Sequence, residues 1–580
     1  MKEFKGISVS PGISIGKAYL YLEDRPPIPS YEIQPDDVAA EMDRFNVARK
    51  KASEEIQVLK KRSSAEGDKH DHRFLDAHLL MLSDPEFIGQ VEDQLGEDLR
   101  NVEWIMHRVI ETLVRQLEES NDSYLRERAV DIYDVANRIL NHLLYRERVS
   151  LADLNEEVIL VTHNLLPSDT MVMNREMVKA IAMDAGSKTS HTAIVARSFG
   201  IVAVLGLSDI SRHVTSGSEI IVDGNAGLVI VDPDEATRTR YVNSLREWHQ
   251  HEVSLLTLND LSAETRDGKL IELNANIEVP EETDVVVSHG ADGVGLFRSE
   301  FLFLQPGGPP SEEVQYAAYT EVLKALSGKS VTIRTLDLGG DKIIPDMEHR
   351  EEKNPILGWR AIRFCLSRKD IFRVQLRALL RASAHGNLKI MFPMISGVEE
   401  LLSTLEFLEE VKEECRRDRI EFDERLSIGS MIEIPSAAVT TDILAKHVQF
   451  FSIGTNDLIQ YTVAVDRGNE HIAYLYEPFH PAVLRLLKMV IDNAHAASIP
   501  VAMCGEMAGD PLATVVLLGL GLDSFSMSAF SIPQVKQIIR SVSMSEAEEL
   551  VGTVMDMRSH NEINSYVTGW MHDRFSFLNN

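Results

Sequence analysis

The chain has 580 residues, 44% of them hydrophobic, enough for several domains with separate cores. Its 90 acidic against 59 basic side chains leave a formal charge of −31, which excludes the basic footprint of a nucleic-acid binder, suits a basic protein partner and requires any anionic substrate to be met by a local basic cluster. No apolar leader follows Met1, the longest apolar stretch (Val515 to Leu522) is far too short to span a membrane, and three cysteines make no disulfide framework, so a cytoplasmic protein without membrane insertion is expected.

Residues 1–30 hold two short strand-like runs around Pro11-Gly12 before Pro26-Pro27-Ile28-Pro29 breaks the pattern. Over residues 31–146 the apolar spacing is helical. One stripe is Val38, Met42, Phe45, Ala48, Ala52, Ile56 and Leu59; a second is Phe74, Ala77 and Met81, ended by Ser83-Asp84-Pro85. Val102, Ile105, Val109, Leu113 and Leu117 make a third, and Leu125 to Leu143 carries a fourth. Four amphipathic helices predict a bundle. Strand-like runs return at Glu157–Val161, Val178–Met183, Ile220–Gly224 and Leu228–Ile230. An α/β domain made of residues 1–30 and 147–233, interrupted by the bundle, is therefore expected, followed by a helical linker over 234–262.

From residue 263 to 580, β-like runs alternate with helix-length segments. The runs are Leu270–Asn274, Gly293–Phe297, Val331–Thr335, Leu388–Phe392, Ile428–Ile432, Phe450–Ile453, Val501–Met503 and Phe525–Met527. Eight such runs predict a (β/α)₈ barrel, whose active site lies at the C-terminal ends of the strands. Polar residues follow the runs there: Arg298 and Glu300, Arg334 and Asp337, Glu433, Asn456 and Asp457, Cys504 and Glu506.

Two sets of residues carry chemistry. In Gly186–Arg197, Thr189 and Ser190 stand at a capping position before good helix formers, and His191 falls in the first turn. Free amides and the positive dipole end favour a neutral, nucleophilic imidazole and would hold a phosphoryl group placed on it. On the barrel, Glu433 and Asp457 are candidate Mg²⁺ ligands; Glu433 lies in Met431-Ile432-Glu433-Ile434-Pro435, where an unpartnered carboxylate is costly. Arg298, Arg334 and Arg467 could clamp a phosphate or carboxylate, with Lys342 adding charge after Gly339-Gly340. Cys504, at a strand end, suits proton transfer. Arg360, Arg363, Arg373, Arg377 and Arg381 read mostly as solvated or ion-paired helix positions, and His70, His72 and His78 as solvated polar residues without metal-ligand spacing. No Walker A pattern is present.

Longer motifs identify a family resemblance. Thr189-Ser190-His191-Thr192-Ala193-Ile194 resembles the phosphohistidine segment of phosphoenolpyruvate-utilising enzymes. Gly293–Phe303, Arg334–Lys342, Asn354–Arg363, Phe451–Leu458, Asp466–Asn469 and Met503–Glu506 resemble enzyme I of the bacterial sugar phosphotransferase system, the phosphoenolpyruvate–protein phosphotransferases. Val9–Ile13 and Tyr124–Ala129 extend the likeness over essentially the whole chain. The resemblance implies Mg²⁺ on Glu433 and Asp457, and phosphoenolpyruvate held by Arg298, Arg334, Lys342, Asn456 and Arg467. It implies transfer to His191, which Thr170 would orient, and protonation of the enolate by Cys504 to give pyruvate. It further implies delivery to a histidine of the carrier HPr docked on the bundle near His78 and Arg128, and a homodimer through the barrel. Ser187, Lys188, Leu166 and Val202 depart from the family's usual residues, as does the Gln305–Pro310 loop.

Two rivals remain to weigh. A phosphoenolpyruvate synthase or pyruvate phosphate dikinase shares the histidine domain and barrel but needs an ATP-grasp domain, where this chain carries a helical bundle. A regulatory homologue without turnover has no need to keep His191, Glu433, Asp457 and Cys504 together.

Overall fold

Residues from both sides of the helical segment build one eight-stranded sheet in the computed structural model. The structure describes the chain apart from residues 11, 22–27, 66–77, 80, 119–122, 145–150, 152–153, 166–168, 171–172, 175–176, 187–191, 194–195, 197–199, 304–307, 339–353, 468–471 and 576–580. The sheet strands are β1 (Lys2–Lys5), β2 (Ile7–Ser10), β3 (Ile13–Tyr21), β4 (Val158–Thr162), β5 (Val178–Met183), β6 (Val202–Leu205), β7 (Glu219–Asp223) and β8 (Leu228–Val231). They run in the order β1-β8-β7-β3-β4-β5-β6-β2. β3 pairs antiparallel with β7 and parallel with β4, although the whole helical segment separates β3 from β4 in sequence. β4, β5 and β6 continue the parallel block, and β4 is buried along its length, as a strand covered on both faces must be. Alternate residues feed two cores: Leu160, Ile181 and Leu205 on one face, Ile159, Ala180 and Val204 on the other. The interrupted α/β arrangement expected from the sequence is present; the four-residue strands β1 and β6 were not read there.

The helices Val38–Ala65, Pro85–Asp98, Val102–Glu118 and Ser123–Leu143 pack around Phe45, Ile56, Leu95, Ile105, Met106 and Ile139. One of them corrects the sequence reading. The break expected at Ser83-Asp84-Pro85 is present at Ser83 and Asp84, but Pro85 also opens a helix that was not read, because proline fits the first helical position, whose N–H is unpaired in any case. Of the stripe expected before it, Phe74 and Ala77 lie outside the described residues. The buried Glu41 carboxylate accepts from the backbone N–H of Val102 at 2.9 Å and so caps the helix that starts there.

The chain divides into two compact units, Met1–Trp248 and His249–Asn580, with the boundary inside the helix Glu235–Leu256. The second unit is a closed barrel. After the two-residue β9 (Ala263–Glu264) come β10 (Leu270–Ile277), β11 (Gly293–Arg298), β12 (Ser330–Arg334), β13 (Asn387–Phe392), β14 (Ser427–Ile432), β15 (Phe450–Ile453), β16 (Val501–Met503) and β17 (Ser524–Met527). Every neighbouring pair from β10 to β17 is parallel, and β17 and β11 both pair with β10, which closes the ring. All eight apolar runs read from the sequence fall on these strands. Val294, Ile333 and Ile390 belong to the large core shared with the helices, whereas the intervening Leu296, Met391 and Met431 form a separate buried cluster with Phe450 and Cys504.

Candidate active site

The polar residues that follow the barrel strands converge at the C-terminal ends, and the closed parallel ladder is what aligns them. Arg298 and Arg334 are register partners at the ends of β11 and β12. Arg298 donates to Glu278 Oε1 at 2.6 Å. Arg334 is buried, donating to Glu300 and pairing with Asp337 Oδ2 at 2.9 Å. Asp337 and Asp457 share a second buried guanidinium, Arg360, at 3.0 and 3.3 Å. Glu300, Arg334, Asp337, Arg360 and Asp457 thus form a chain of alternating charge. Burial opposes the charge on both arginines, but the carboxylates around them outweigh it and raise both pKa values above the ordinary guanidinium range.

Arg360 is the residue the sequence reading missed, because it was grouped with the helical arginines. Its signal was the Gly358-Trp359 before it and the motif around it; it stands just before the helix Ala361–Ser367, next to Ala361 in the left-handed region at φ 53°. Met394, also left-handed at φ 57°, donates its N–H to Glu433 Oε1 at 2.6 Å. Two such non-glycine residues beside the charge chain mark stored backbone strain where the site is built.

Glu433 is 2% exposed. Burial first, then repulsion from Asp457 and Asp337, raises its pKa well above the usual carboxylate range, against the opposing pull of Arg334 and Arg360. Room for it is made by Gly454, where a Cβ would come within 2.7 Å of Glu433 Oε2. Among the described residues Glu433 Oε2 and Asp457 Oδ1 accept no hydrogen bond. Two carboxylates with free oxygens, one of them costly to ionise alone, fit a hard divalent cation that leans on substrate and water for the rest of its shell.

Asn456 ties the ends of β15 and β16 together: its Oδ1 accepts from Glu506 N at 3.0 Å and its Nδ2 donates to Glu506 Oε1 at 3.3 Å. Arg467 is exposed, 3.5 Å from the same carboxylate oxygen. Cys504 is buried, with its Sγ 3.7 Å from the Ile453 carbonyl and its own carbonyl held by Asn276 Nδ2 at 3.1 Å. Burial pushes the thiol up, more than Arg334 and Arg298 pull it down, so it is held neutral. Arg363, Arg373, Arg377 and Arg381 form ion pairs away from this set, as the sequence reading had it.

Lys342 and His191 lie outside the described residues, as do Ser187, Lys188 and Leu166. Near His191 in sequence, helical Ala193 and Ala196 pack on the sheet core, and Thr170 is buried beside Asp169, whose Oδ1 accepts from Tyr21 Oη at 3.0 Å. Val202 takes part in β6, paired with Ala180. His78 corrects one expectation: it is fully buried, not a solvated polar residue. Nothing is described of the Arg128 side chain.

Three family models match the chain: the N-terminal domain of phosphoenolpyruvate-utilising enzymes over residues 5–128, their mobile domain over 154–227, and their phosphoenolpyruvate-binding domain over 254–544. The phosphoenolpyruvate-protein phosphotransferase of Priestia megaterium is 43% identical over 98% of this chain and 99% of its own length. Those of Listeria monocytogenes and Bacillus subtilis are each 43% identical, over 97% and 98% of this chain and 98% and 99% of their own. The chain belongs to the phosphoenolpyruvate–protein phosphotransferases. It is an enzyme I of the phosphotransferase system, with an N-terminal helical domain, a mobile phosphohistidine α/β domain and a phosphoenolpyruvate-binding barrel, and its activity is phosphoryl transfer from phosphoenolpyruvate.

Proposed function

We propose that phosphoenolpyruvate binds at the mouth of the barrel and phosphorylates His191, which then passes the phosphoryl group to a histidine of HPr. The observation that carries this reading is the buried charge chain through Arg334 and Arg360, set beside Glu433 and Asp457. It supplies fixed cations for a trianionic substrate and paired carboxylates for a metal. Arg298, Arg334, Lys342, Asn456 and Arg467 hold the phosphate and carboxylate, and Glu433 and Asp457 hold Mg²⁺. Bound there, Mg²⁺ would neutralise phosphoryl charge during in-line transfer.

In the transfer the bond between phosphorus and the enol oxygen breaks as a bond from phosphorus to a ring nitrogen of His191 forms. The electron pair left on the enolate takes up a proton at carbon from the Cys504 thiol, giving pyruvate, and solvent returns a proton to sulfur. A neutral thiol is what that step needs, and burial keeps it so. Thr170, buried in the histidine domain, orients the ring.

The domains are residues 1–30 with 147–233, the HPr-binding bundle 31–146, the linker 234–262 and the barrel 263–580. Movement about the linker lets His191 serve both the barrel and HPr on the bundle, at a face that includes Arg128. The net charge of −31 suits a basic carrier. Exposed Leu357, Trp359, Tyr474 and Leu475 on the barrel unit support a homodimer. The enzyme acts in the cytoplasm; no helix among the described residues is long and apolar enough to cross a membrane.

Intact mass spectrometry after incubation with phosphoenolpyruvate and Mg²⁺ tests the reading. One phosphoryl adduct is expected, discharged by added HPr and absent from His191→Ala. An adduct that survives in His191→Ala, or none in the unaltered protein, overturns it.

A further inference from the structure

Behind the charge chain lies a second polar network that the proposed chemistry does not use. The β11–β12 ladder ends at the pair Arg298 and Arg334; beyond it one segment turns into the 3-10 helix Ser299–Leu302 while the other runs on without strand pairing to it. Gln375, from the helix Lys369–Ser383 outside the barrel, bridges the gap. Its Oε1 accepts from the Leu336 backbone N–H at 2.9 Å and its Nε2 donates to Ser299 Oγ at 3.0 Å. Ser299 Oγ in turn donates to the Arg334 carbonyl at 2.6 Å. The residue after Arg298 and the residues at and after Arg334 are thereby joined in one closed circuit. The second Nε2 hydrogen goes to Tyr319 Oη at 3.2 Å, Tyr319 donates to Gln315 Oε1 at 3.2 Å, and Gln315 donates to the Pro310 carbonyl at 3.0 Å.

Ser299, Gln315, Tyr319 and Gln375 are all 0% exposed. A buried amide is costly unless every donor and acceptor is met; a leucine would match its volume but would leave the Leu336 N–H without its acceptor. Packing therefore does not require glutamine here. What glutamine adds is a fixed spacing between two backbone segments that no longer pair with each other. Each carries an arginine proposed to meet the substrate.

We infer that Gln375, acting through Ser299, is a positioning residue: it sets the separation of Arg298 and Arg334 and hence the affinity for the anionic substrate. The inference rests on the reading that these two arginines bind phosphoenolpyruvate. Its effect should be one of geometry rather than of fold.

The test is the KM and kcat for phosphoenolpyruvate of the full chain with Mg²⁺ and HPr, normalised to folded protein by circular dichroism. Gln375→Leu should raise KM by about tenfold, the lower end of what losing a residue that orients a site ligand costs, while kcat falls less. Ser299→Ala, a one-atom deletion normalised to folded protein in the same way, should raise KM in the same direction. Because both residues belong to one circuit, the double variant should fall short of the product of the two single effects. Leu379→Ala, a cavity one turn further along the same helix that removes no hydrogen bond, should lower Tm and leave KM unchanged. A KM within twofold of the unaltered enzyme in both Gln375→Leu and Ser299→Ala overturns the inference, as does an equal rise in Leu379→Ala. Arg334→Lys separates the two readings. If it leaves KM unchanged the substrate site itself is misplaced; if it raises KM while the network variants do not, only the positioning role fails.

Discussion

Two chains of alternating arginine and carboxylate run through the second unit, and burial is what separates them. At the barrel mouth Arg334 and Arg360 are interleaved with Glu300, Asp337 and Asp457, nearly all out of solvent. On the outer face of the helix Lys369–Ser383, Arg373, Arg377 and Arg381 are interleaved with Glu410, Glu414, Glu312, Asp418 and Glu313, mostly in contact with water. The pairings and distances are similar. In the low dielectric of the mouth each charge holds its neighbours in place and none can be removed alone. On the helix face water replaces a lost partner at little cost. Sequence spacing alone does not distinguish the two, which is why Arg360 was grouped with the wrong set.

The largest break in this contrast should come from Arg334→Met. It leaves buried Glu300 without its cation and Asp337 with Arg360 alone, a loss of about 3–5 kcal/mol in urea unfolding, together with the loss of phosphoryl transfer. Glu433→Gln should act in the opposite sense on the two properties. Turnover should drop by about 10²–10³, the scale seen when one electrostatic group is taken from a preorganised site. The metal-free protein should be no less stable at pH 8 and above, since the glutamine has no charge to bury. The sign follows from the raised folded-state pKa of Glu433. Its contribution to stability is present below the unfolded-state pKa and is lost as pH rises through the folded one, so the unaltered protein should weaken across that window while Glu433→Gln does not. Urea midpoints taken without metal between pH 5 and pH 9 check this.

A smaller effect probes how the mouth is shaped. Gly454→Ala places a methyl group within 2.7 Å of Glu433 Oε2, and relief by moving that carboxylate should cost about 1–3 kcal/mol. Weakened Mg²⁺ dependence of turnover would report it. Cys504 gives a chemical readout of the same field: its thiol is raised by burial and lowered by Arg334 and Arg298. Alkylation of Cys504 should therefore stay slow through pH 9 and become slower still in Arg334→Met. Faster alkylation in that variant, measured on protein that remains folded, would mean that the guanidinium shields the sulfur rather than stabilising its anion.

How much of this could be read in advance depends on whether local pattern or long-range contact decides it. Eight apolar runs separated by helix-length segments specify the barrel strands, and polar residues at and just after their ends mark the mouth; Arg298, Arg334, Glu433, Asp457 and Cys504 were singled out this way. The interrupted sheet was legible because strand patterning stops at residue 30 and resumes near 157. The break before Pro85 was legible, but the helix Pro85–Asp98 was not, because a proline can close one helix or open the next and only the packing of Val91 and Leu95 in the bundle core shows the second. His78 was misread because a histidine beside charged residues looks solvated until its neighbours cover it. Gln375 and Tyr319 carried no signal, since an amide or phenol on a helix is ordinary until the fold brings Ser299 and Leu336 to it.

The smallest effect is the one that tests the contrast itself. Arg377→Met breaks two ion pairs, to Glu312 at 2.9 Å and to Asp418 at 2.9 Å, as many as Arg334→Met breaks at the mouth. If the number of pairs governed stability the two variants would fall together. If burial governs it, Arg377→Met should cost no more than about 1 kcal/mol, because the freed carboxylates turn to water and the methionine stem keeps the packing of the arginine's aliphatic part. That cost should also shrink in 1 M NaCl, where the Debye length is about 3 Å, whereas the cost of Arg334→Met should hardly change, since salt does not reach a buried site. Urea unfolding of the two variants at low and high salt gives four numbers. A cost at Arg377 that is both large and salt-resistant would show the outer ladder to be structural in its own right, and the mouth would then owe its charge chain to something other than burial.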